Sequence, residues 1–433
     1  MKIINNIIKK IKNDIHLTEL FKGGGISFFL KILGLVLGYV FTIVLARTLG
    51  AESVGIYSLS LAIITITGII GKFGLDTTIL RLNAEYKSTD QKNKIVTVSK
   101  IVFILSFLSS SIIAVLVFLF ADDIAGKIFA KSSLTSSIKI VSFAIVPFAL
   151  STISSSALRG FKLITKAVFI DYVAKFAYLL LFFLSGYLIF DITGNSIAIL
   201  IVLTSWAMFL TGLFWYLAEI KKYINKETEK IRIKTILKIA FPLILASSVF
   251  YIKGWIDTIS IGAFMTKADV GIYNIAYKLA NLTIIPLVTI NAIAAPKFAE
   301  NILNKNELKL VLRKTIKLVL IVSTPILIGI VLLSNILLSV FGSEFTKANF
   351  VLIIIAIASF INAVFGSIGY LLQMTGHHLT FQNSVIILIV FSIVFNFYLI
   401  PRYGLIGAAV STLLVNFIWN LILLIIQRNI VKL

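Results

Sequence analysis

Long apolar runs recur along the whole chain, separated by short polar segments. They fall at roughly 24–46, 53–75, 97–120, 138–158, 168–190, 196–218, 236–262, 271–295, 315–341, 349–373, 380–400 and 404–427. Each is close to the roughly 20 apolar residues that a helix needs to cross bilayer hydrocarbon. A backbone in lipid must satisfy its own hydrogen bonds, which a helix does within one segment. The pattern therefore predicts an all-α integral membrane protein of twelve transmembrane helices, give or take one. Four regions follow: an interfacial segment (1–22), a first six-helix lobe (23–218), a linker (219–235) and a second lobe (236–433).

The first segment has a different period. Ile3, Ile7, Ile11 and Ile15 recur every four residues with Lys9, Lys10 and Lys12 between them. That spacing suits an amphipathic helix on the membrane surface, and suits a solvated tail equally. It lacks the apolar core and small-residue cleavage site of a signal peptide. Gly23-Gly24-Gly25 then reads as a hinge into the first span, since no GK[ST] follows to make a phosphate loop.

Composition supports the periodicity. The 433 residues are 59% hydrophobic and 13% charged, with mean hydropathy +1.04, whereas a soluble domain carries roughly a quarter charged residues. The formal charge of +22 would suggest nucleic acid in a soluble chain; here topology explains it. Most of the 40 Lys and Arg fall on alternate loops: the N-terminus, the loops around Lys87–Lys100 and Arg159–Lys166, the central stretch Lys221–Lys238, the stretch Lys297–Lys317, and the tail. Cytoplasmic loops collect such residues, so both termini are expected in the cytoplasm of a cell whose cytoplasmic membrane holds the protein. There is no cysteine, and only His16, His377 and His378. Disulfides and thiolate metal sites are thereby excluded, and no cofactor or metal is expected.

The sequence repeats itself at half length. Val54-Gly55-Ile56-Tyr57 returns as Val270-Gly271-Ile272-Tyr273, and at the same offset Arg159-Gly160 falls on Thr375-Gly376 and Arg81 on Lys297. Six spans per half is an even number. The halves therefore enter from the same side and relate by a pseudo-twofold axis along the membrane normal, an arrangement that places substrate between lobes.

Charges stand inside several spans: Lys31, Lys72, Asp171, Lys175, Lys253, Asp257 and Lys278. A charge at the bilayer centre costs about 2.5–3.5 kcal/mol on insertion scales, so these side chains face a partner or a water-filled cavity. Asp171 with Lys175 and Lys253 with Asp257 are spaced i,i+4, which puts each pair on one helix face. Asp171 and Lys72 lie near span ends and can snorkel. The excess is cationic, and a cavity lined this way attracts an anionic, phosphorylated cargo. Pro147, Pro242, Pro286 and Pro325 within spans allow kinks.

Certain motifs bring a family into view. The run Leu45-Ala-Arg47-Thr-Leu-Gly50-Ala, then Val54-Gly-Ile-Tyr57 and Gly74-Leu-Asp76-Thr-Thr-Ile-Leu-Arg81, resembles the N-terminal signature of the Wzx-type oligosaccharide flippases. These are polysaccharide export proteins of the MATE-like (MOP) superfamily. In the second half Asp257, Ile261-Gly262, Val270-Gly-Ile-Tyr273, Tyr277-Lys278 and Pro296 are similar to that family's seventh and eighth helices. Tyr403-Gly404-Leu-Ile-Gly407 resembles the entry to its last. The resemblance implies a flippase that carries a lipid-linked (polyprenyl phosphate or diphosphate) oligosaccharide outward by alternating access, coupled to an Na+ or H+ gradient. Its partners would be that glycolipid, membrane lipids and polysaccharide assembly proteins, with no nucleic acid and a monomeric chain.

On this reading the cationic cavity is drawn from Lys31, Lys175, Lys253, Lys278 and Arg47. Ion coupling or gating is drawn from Asp257, Asp171, Asp76, Arg81 and Arg159. Lys31 sits where relatives carry a basic residue in helix 1 and is expected to meet the phosphate. Asp257 matches an acidic position, but Thr258 stands where a basic residue often follows, which leaves ion coupling and salt bridge both open. A MATE-like drug antiporter would show acidic rather than cationic cavity residues. Many lipid II flippases carry two further helices, whereas this sequence closes at Leu433. A membrane glycosyltransferase would carry catalytic carboxylates on a sizeable outer loop, and Asp122-Asp123 in a short one read as surface charges.

The absence of cysteine makes the topology directly testable. In inverted and right-side-out vesicles, Asn225→Cys should react with an impermeant maleimide from the cytoplasmic side only, and Ser133→Cys from the outer side only.

Overall fold

A computed structural model of the chain describes residues 15–189, 194–224, 229 and 231–431; of the surface segment expected over residues 1–22, residues 1–14 lie outside these. Among the described residues all regular structure is helical. Nine helices are long and apolar enough to cross a membrane, and two of those are double. The first runs from Ile15 to Lys72 but turns at Gly50 (φ 75°), and the last runs from His378 to Ile426 but turns at Gly404 (φ 57°). Positive φ is a conformation that glycine alone adopts without steric cost, so each glycine ends one span and starts the next. Ile233–Phe264, kinked by Pro242, adds a further span. Twelve crossing helices therefore stand where the twelve apolar runs fall. Gly23 to Gly25 lie inside continuous helix and form no break.

In chain order the helices are α1 (15–49), α2 (51–72), α3 Leu75–Ser88, α4 Asn93–Leu119, α5 Thr135–Gly160, α6 Ile164–Ile189, α7 Gly194–Ile220 and α8 Ile233–Phe264. They continue as α9 Lys267–Glu300, α10 Lys305–Ser339, α11 Ser343–Met374, α12 (378–403) and α13 (405–426). Only α3, at 14 residues, is too short to cross. The chain forms two compact units. One comprises Met1–Thr42, Ile63–Asp123 and Ser133–Ser247; the other comprises Ile43–Ala62, Ile124–Ser132 and Ser248–Leu433.

In the first unit α5 is the axle. Its most apolar window is 72% buried, against 22% for α4 and 44% for α7, because both of those helices pack along it. Its inward face carries Ser142, Ser151, Ser154 and Ser155 among Ile145, Ala149 and Ile153, small residues that let helices approach closely in lipid. Beneath it α3 buries Leu75, Ile79 and Leu82 against Phe161 and Tyr216. The rings of Phe103, Tyr216, Phe161 and Tyr223 stack in series at 5.1, 6.1 and 5.6 Å.

The second unit packs α9, α10, α11, α12 and α13 around Phe298, Leu312, Phe381 and Trp419. A capping box starts α9, with Asp269 N donating to Thr266 Oγ1 (3.2 Å) and Thr266 N to Asp269 Oδ2 (3.0 Å), which satisfies donors that the first turn leaves free. Immediately after it the repeated motif meets its own copy. A Cβ on Gly55 would lie 1.8 Å from the Lys267 carbonyl oxygen, and one on Gly271 2.1 Å from that of Ala51. The two Val-Gly-Ile-Tyr segments cross backbone to backbone, a contact that no larger residue permits. An ion pair between Glu52 and Lys267 (2.6 Å) flanks the crossing. The Ala51 amide donates to Glu344 Oε1 (2.7 Å), and Arg47 Nε to the Val340 carbonyl (2.7 Å). An acid thus caps the start of α2 and a base the end of α10, each the favourable sign for its helix end.

Gly55→Leu or Gly271→Leu should destabilise the protein by at least the overpacking cost of about 1–3 kcal/mol. Gly126→Ala should be neutral, because a Cβ there meets nothing within 4 Å. Thermal unfolding of the three variants in detergent checks both expectations.

Candidate functional site

The second unit holds a small polar cavity of about 50 Å³ within its span region, lined by Lys253, Asp257, Tyr277, Asn281, Asn362 and Asn416 among others. Asp257 is carried inward by α8, and donors converge on it from three other helices. Asn396 Nδ2 (2.8 Å) and Ser392 Oγ (3.3 Å) on α12 donate to Oδ1; Thr412 Oγ1 on α13 (3.0 Å) and the Tyr273 hydroxyl on α9 (3.4 Å) donate to Oδ2. Four neutral donors so placed offset part of the cost of burying the carboxyl group. The Asn396 Oδ1 on the same amide is buried with no partner.

Lys253 shares this cavity, one helical turn before Asp257 on α8. Its ammonium lies 3.9 Å from the centroid of the Trp419 ring, and no ion pair joins it to Asp257 among the described residues. The i,i+4 spacing thus brings both groups to one cavity, but the acid is held by neutral donors and the base by a π face.

In the first unit the charges pair otherwise than their spacing suggests. Asp171 and Lys175 do not pair; Arg159 at the end of α5 takes Asp171 instead. Phe169–Ala174 form a π-helical turn here. Lys175 is left 5.3 Å from the Phe176 ring centroid. Lys31 lies 5.6 Å from the centroid of Tyr172 and is exposed. Lys72 and Asp76 form a buried ion pair at 2.6 Å across the start of α3. Arg81 is exposed on α3, and Lys278 is half-buried on α9. Arg47 is committed to the carbonyls of Val340 and Ser339. Asp122 pairs with Lys139 at the surface.

Sequence reasoning missed Asn396, Ser392, Thr412 and Tyr273, which surround Asp257. A signal for them exists in the last two spans. Ser384, Ser392 and Asn396, and again Thr412, Asn416 and Asn420, recur at multiples of four residues. That spacing makes a polar stripe on one face of each helix.

Twelve crossing helices and a charged polar cavity in the span region define a multi-pass membrane protein of the transporter class. The chain belongs to the polysaccharide biosynthesis protein family, whose pattern matches residues 20–302; that of the family described as MatE matches residues 242–399. It is similar to the probable low-salt glycan biosynthesis flippase Agl15 of Haloferax volcanii, 24% identical over 89% of this chain and 79% of that one. The capsular polysaccharide biosynthesis protein CapF of Staphylococcus aureus is 25% identical over 54% and 60% of the two chains. Among solved structures, the lipid II flippase MurJ in an inward closed conformation superposes with TM-score 0.73 at 17% identity, over 94% of this chain and 88% of that one. A multidrug resistance MATE family transporter, inward-facing, gives 0.71 at 15% identity over 88% and 93%. At such identities the likeness is one of fold.

The buried Lys72–Asp76 pair makes a clean energetic test. Lys72→Met should cost about 3–5 kcal/mol by stranding the carboxylate, and Lys72→Met with Asp76→Leu should recover most of it. Denaturant titration in mixed micelles measures both.

Proposed function

We propose that this protein is a flippase that moves a lipid-linked oligosaccharide, on a polyprenyl phosphate or diphosphate, across the cytoplasmic membrane by alternating access. The reading is supported above all by Lys253, held in a polar cavity within the spans with no carboxylate paired to it among the described residues. Lys31 and Lys175, likewise resting on rings rather than acids, add to it. A cation kept at that depth is costly unless its function needs it, and the complementary ligand is an anion such as a phosphate. Membership of the polysaccharide biosynthesis family and similarity to a probable glycan biosynthesis flippase point to a glycolipid as the bearer of that charge. The protein acts as a carrier and performs no bond chemistry on its cargo.

The coupling step belongs to Asp257. A small cation, Na+ or H+, enters as a co-substrate and takes the carboxylate, with the orphan oxygen of Asn396 and the hydroxyls of Ser392 and Thr412 completing the shell. Binding there redistributes the donors of α9, α12 and α13 that now converge on the acid, which is how occupancy can bias helix positions. Lys253 beside it feels the change in charge, so cargo and ion are linked electrostatically.

In proteoliposomes loaded with a polyprenyl-diphosphate oligosaccharide, Lys31→Ala and Lys253→Ala should each lower leaflet transfer at least about tenfold, roughly the loss of one charge-assisted hydrogen bond, while insertion stays normal. Asp257→Asn should remove the dependence of transfer on an imposed Na+ or H+ gradient. Normal transfer by both lysine variants, or efflux of organic cations in place of glycolipid, would sink the reading.

A further inference from the structure

The first unit contains a second cavity, remote in sequence and chemistry from the Asp257 site. Helices α4 and α7 each pack along α5 but scarcely on one another, and the turn Lys221–Tyr223 bridges them only at one end. A cleft of about 360 Å³ opens between them, lined by Val96, Lys100, Phe103, Leu213, Tyr216 and Ile220 among others. Its floor is the stacked pair Phe103 and Tyr216. Its lips, Leu217 and Ile224, are 46% and 52% exposed. The same two helices expose Ile104, Ile112 and Leu119 on α4 and Leu210 and Phe214 on α7. The cleft thus opens on a continuous apolar face of the kind that meets hydrocarbon, and a dry gap there forfeits contacts that a hydrocarbon chain restores.

Two polar features distinguish the cleft from a mere packing defect. The Tyr216 hydroxyl is buried in its wall beside Ser99, whose own proton goes to the Ile95 carbonyl (2.6 Å). Lys100 stands two turns inside α4. Around it Lys92 is paired with Asp90, Lys94 with Glu229 and Lys222 with Glu219. Lys100 has no acidic partner among the described residues. An apolar slot lined by a phenol and by an exposed ammonium that pairs with no acid among the described residues is complementary to a single amphiphile, hydrocarbon inward and anion at the lysine.

We propose that this cleft is a lipid site that takes one acyl chain of an anionic glycerophospholipid and seats its phosphate on Lys100. The charge of Lys100 and its place one to two turns from the end of a span favour a bilayer headgroup at that level. The site stands apart from the transport reading, because none of its residues lines the Asp257 cavity.

Native mass spectrometry of the full chain, exchanged into micelles with either phosphatidylglycerol or phosphatidylcholine, tests the assignment. The wild type should retain one phosphatidylglycerol in preference to phosphatidylcholine. Lys100→Gln should cut that preference by about fivefold, the scale of one lysine near an anionic lipid. Leu217→Trp, at an exposed lip where the fold tolerates bulk, should plug the slot and abolish retention of both lipids with an unchanged unfolding midpoint. Equal retention of the two lipids, or retention indifferent to both variants, would overturn the proposal. So would displacement of phosphatidylglycerol by a polyprenyl phosphate through Lys100, which would reassign the cleft to the glycan carrier.

Discussion

Within the spans no water stands ready to satisfy a polar atom, and every feature of this molecule answers to that constraint. It fixes the helical backbone first. It then dictates where hydroxyls go: Ser99, Ser110 and Ser154 return their protons to carbonyls one turn back, at 2.6, 2.6 and 2.9 Å. Between helices Ser323 reaches the Thr283 carbonyl and Trp419 the Ser384 hydroxyl. Finally it ranks the charges. Lys72 with Asp76 and Arg159 with Asp171 neutralise each other, whereas Asp257 is held by amide and hydroxyl donors.

Much of the fold was legible because lipid imposes one period and one length. The twelve apolar runs correspond to twelve helices, and the glycines that divide spans within two continuous helices, Gly50 and Gly404, stand in the very motifs that carry the family resemblance. The half-length repeat was legible as identity but not as contact: nothing in Val54-Gly-Ile-Tyr57 says that its glycine will lie against the backbone beside Gly271. The π-turn at Phe169–Ala174 was invisible, since its residues have ordinary helical character and only the hydrogen-bond register changes.

The site was half legible for a related reason. A charge in an apolar run is conspicuous, so Lys253 and Asp257 stood out; a serine or asparagine is not, because such residues satisfy themselves locally in most spans. Only their spacing betrays them. Thr412, Asn416 and Asn420 share one face of α13, and Ser392 and Asn396 share one face of α12, and it is from these two faces that the shell of Asp257 is largely built. Arg47 shows the converse hazard. It is conspicuous by charge and by motif, yet its guanidinium is spent on the terminal carbonyls of α10.

The different treatment of acid and base in the second unit has a functional consequence. Asp257 receives four donors across three helices, so its charge is tied to their positions, and any cation that takes the carboxylate must loosen at least some of those bonds. Lys253 rests on the face of Trp419, a contact worth about 0.5–2 kcal/mol, feels the charge of Asp257 one turn away, and forms no ion pair among the described residues, which leaves the cost of a charge at bilayer depth only partly offset. The acid is therefore at rest without a ligand and the base is not. An anion that enters the cavity relieves the lysine without displacing any protein hydrogen bond, whereas an organic cation would first have to strip the shell from the aspartate. On the proposed reading, such an arrangement would discriminate by the sign of the cargo before any question of its shape arises.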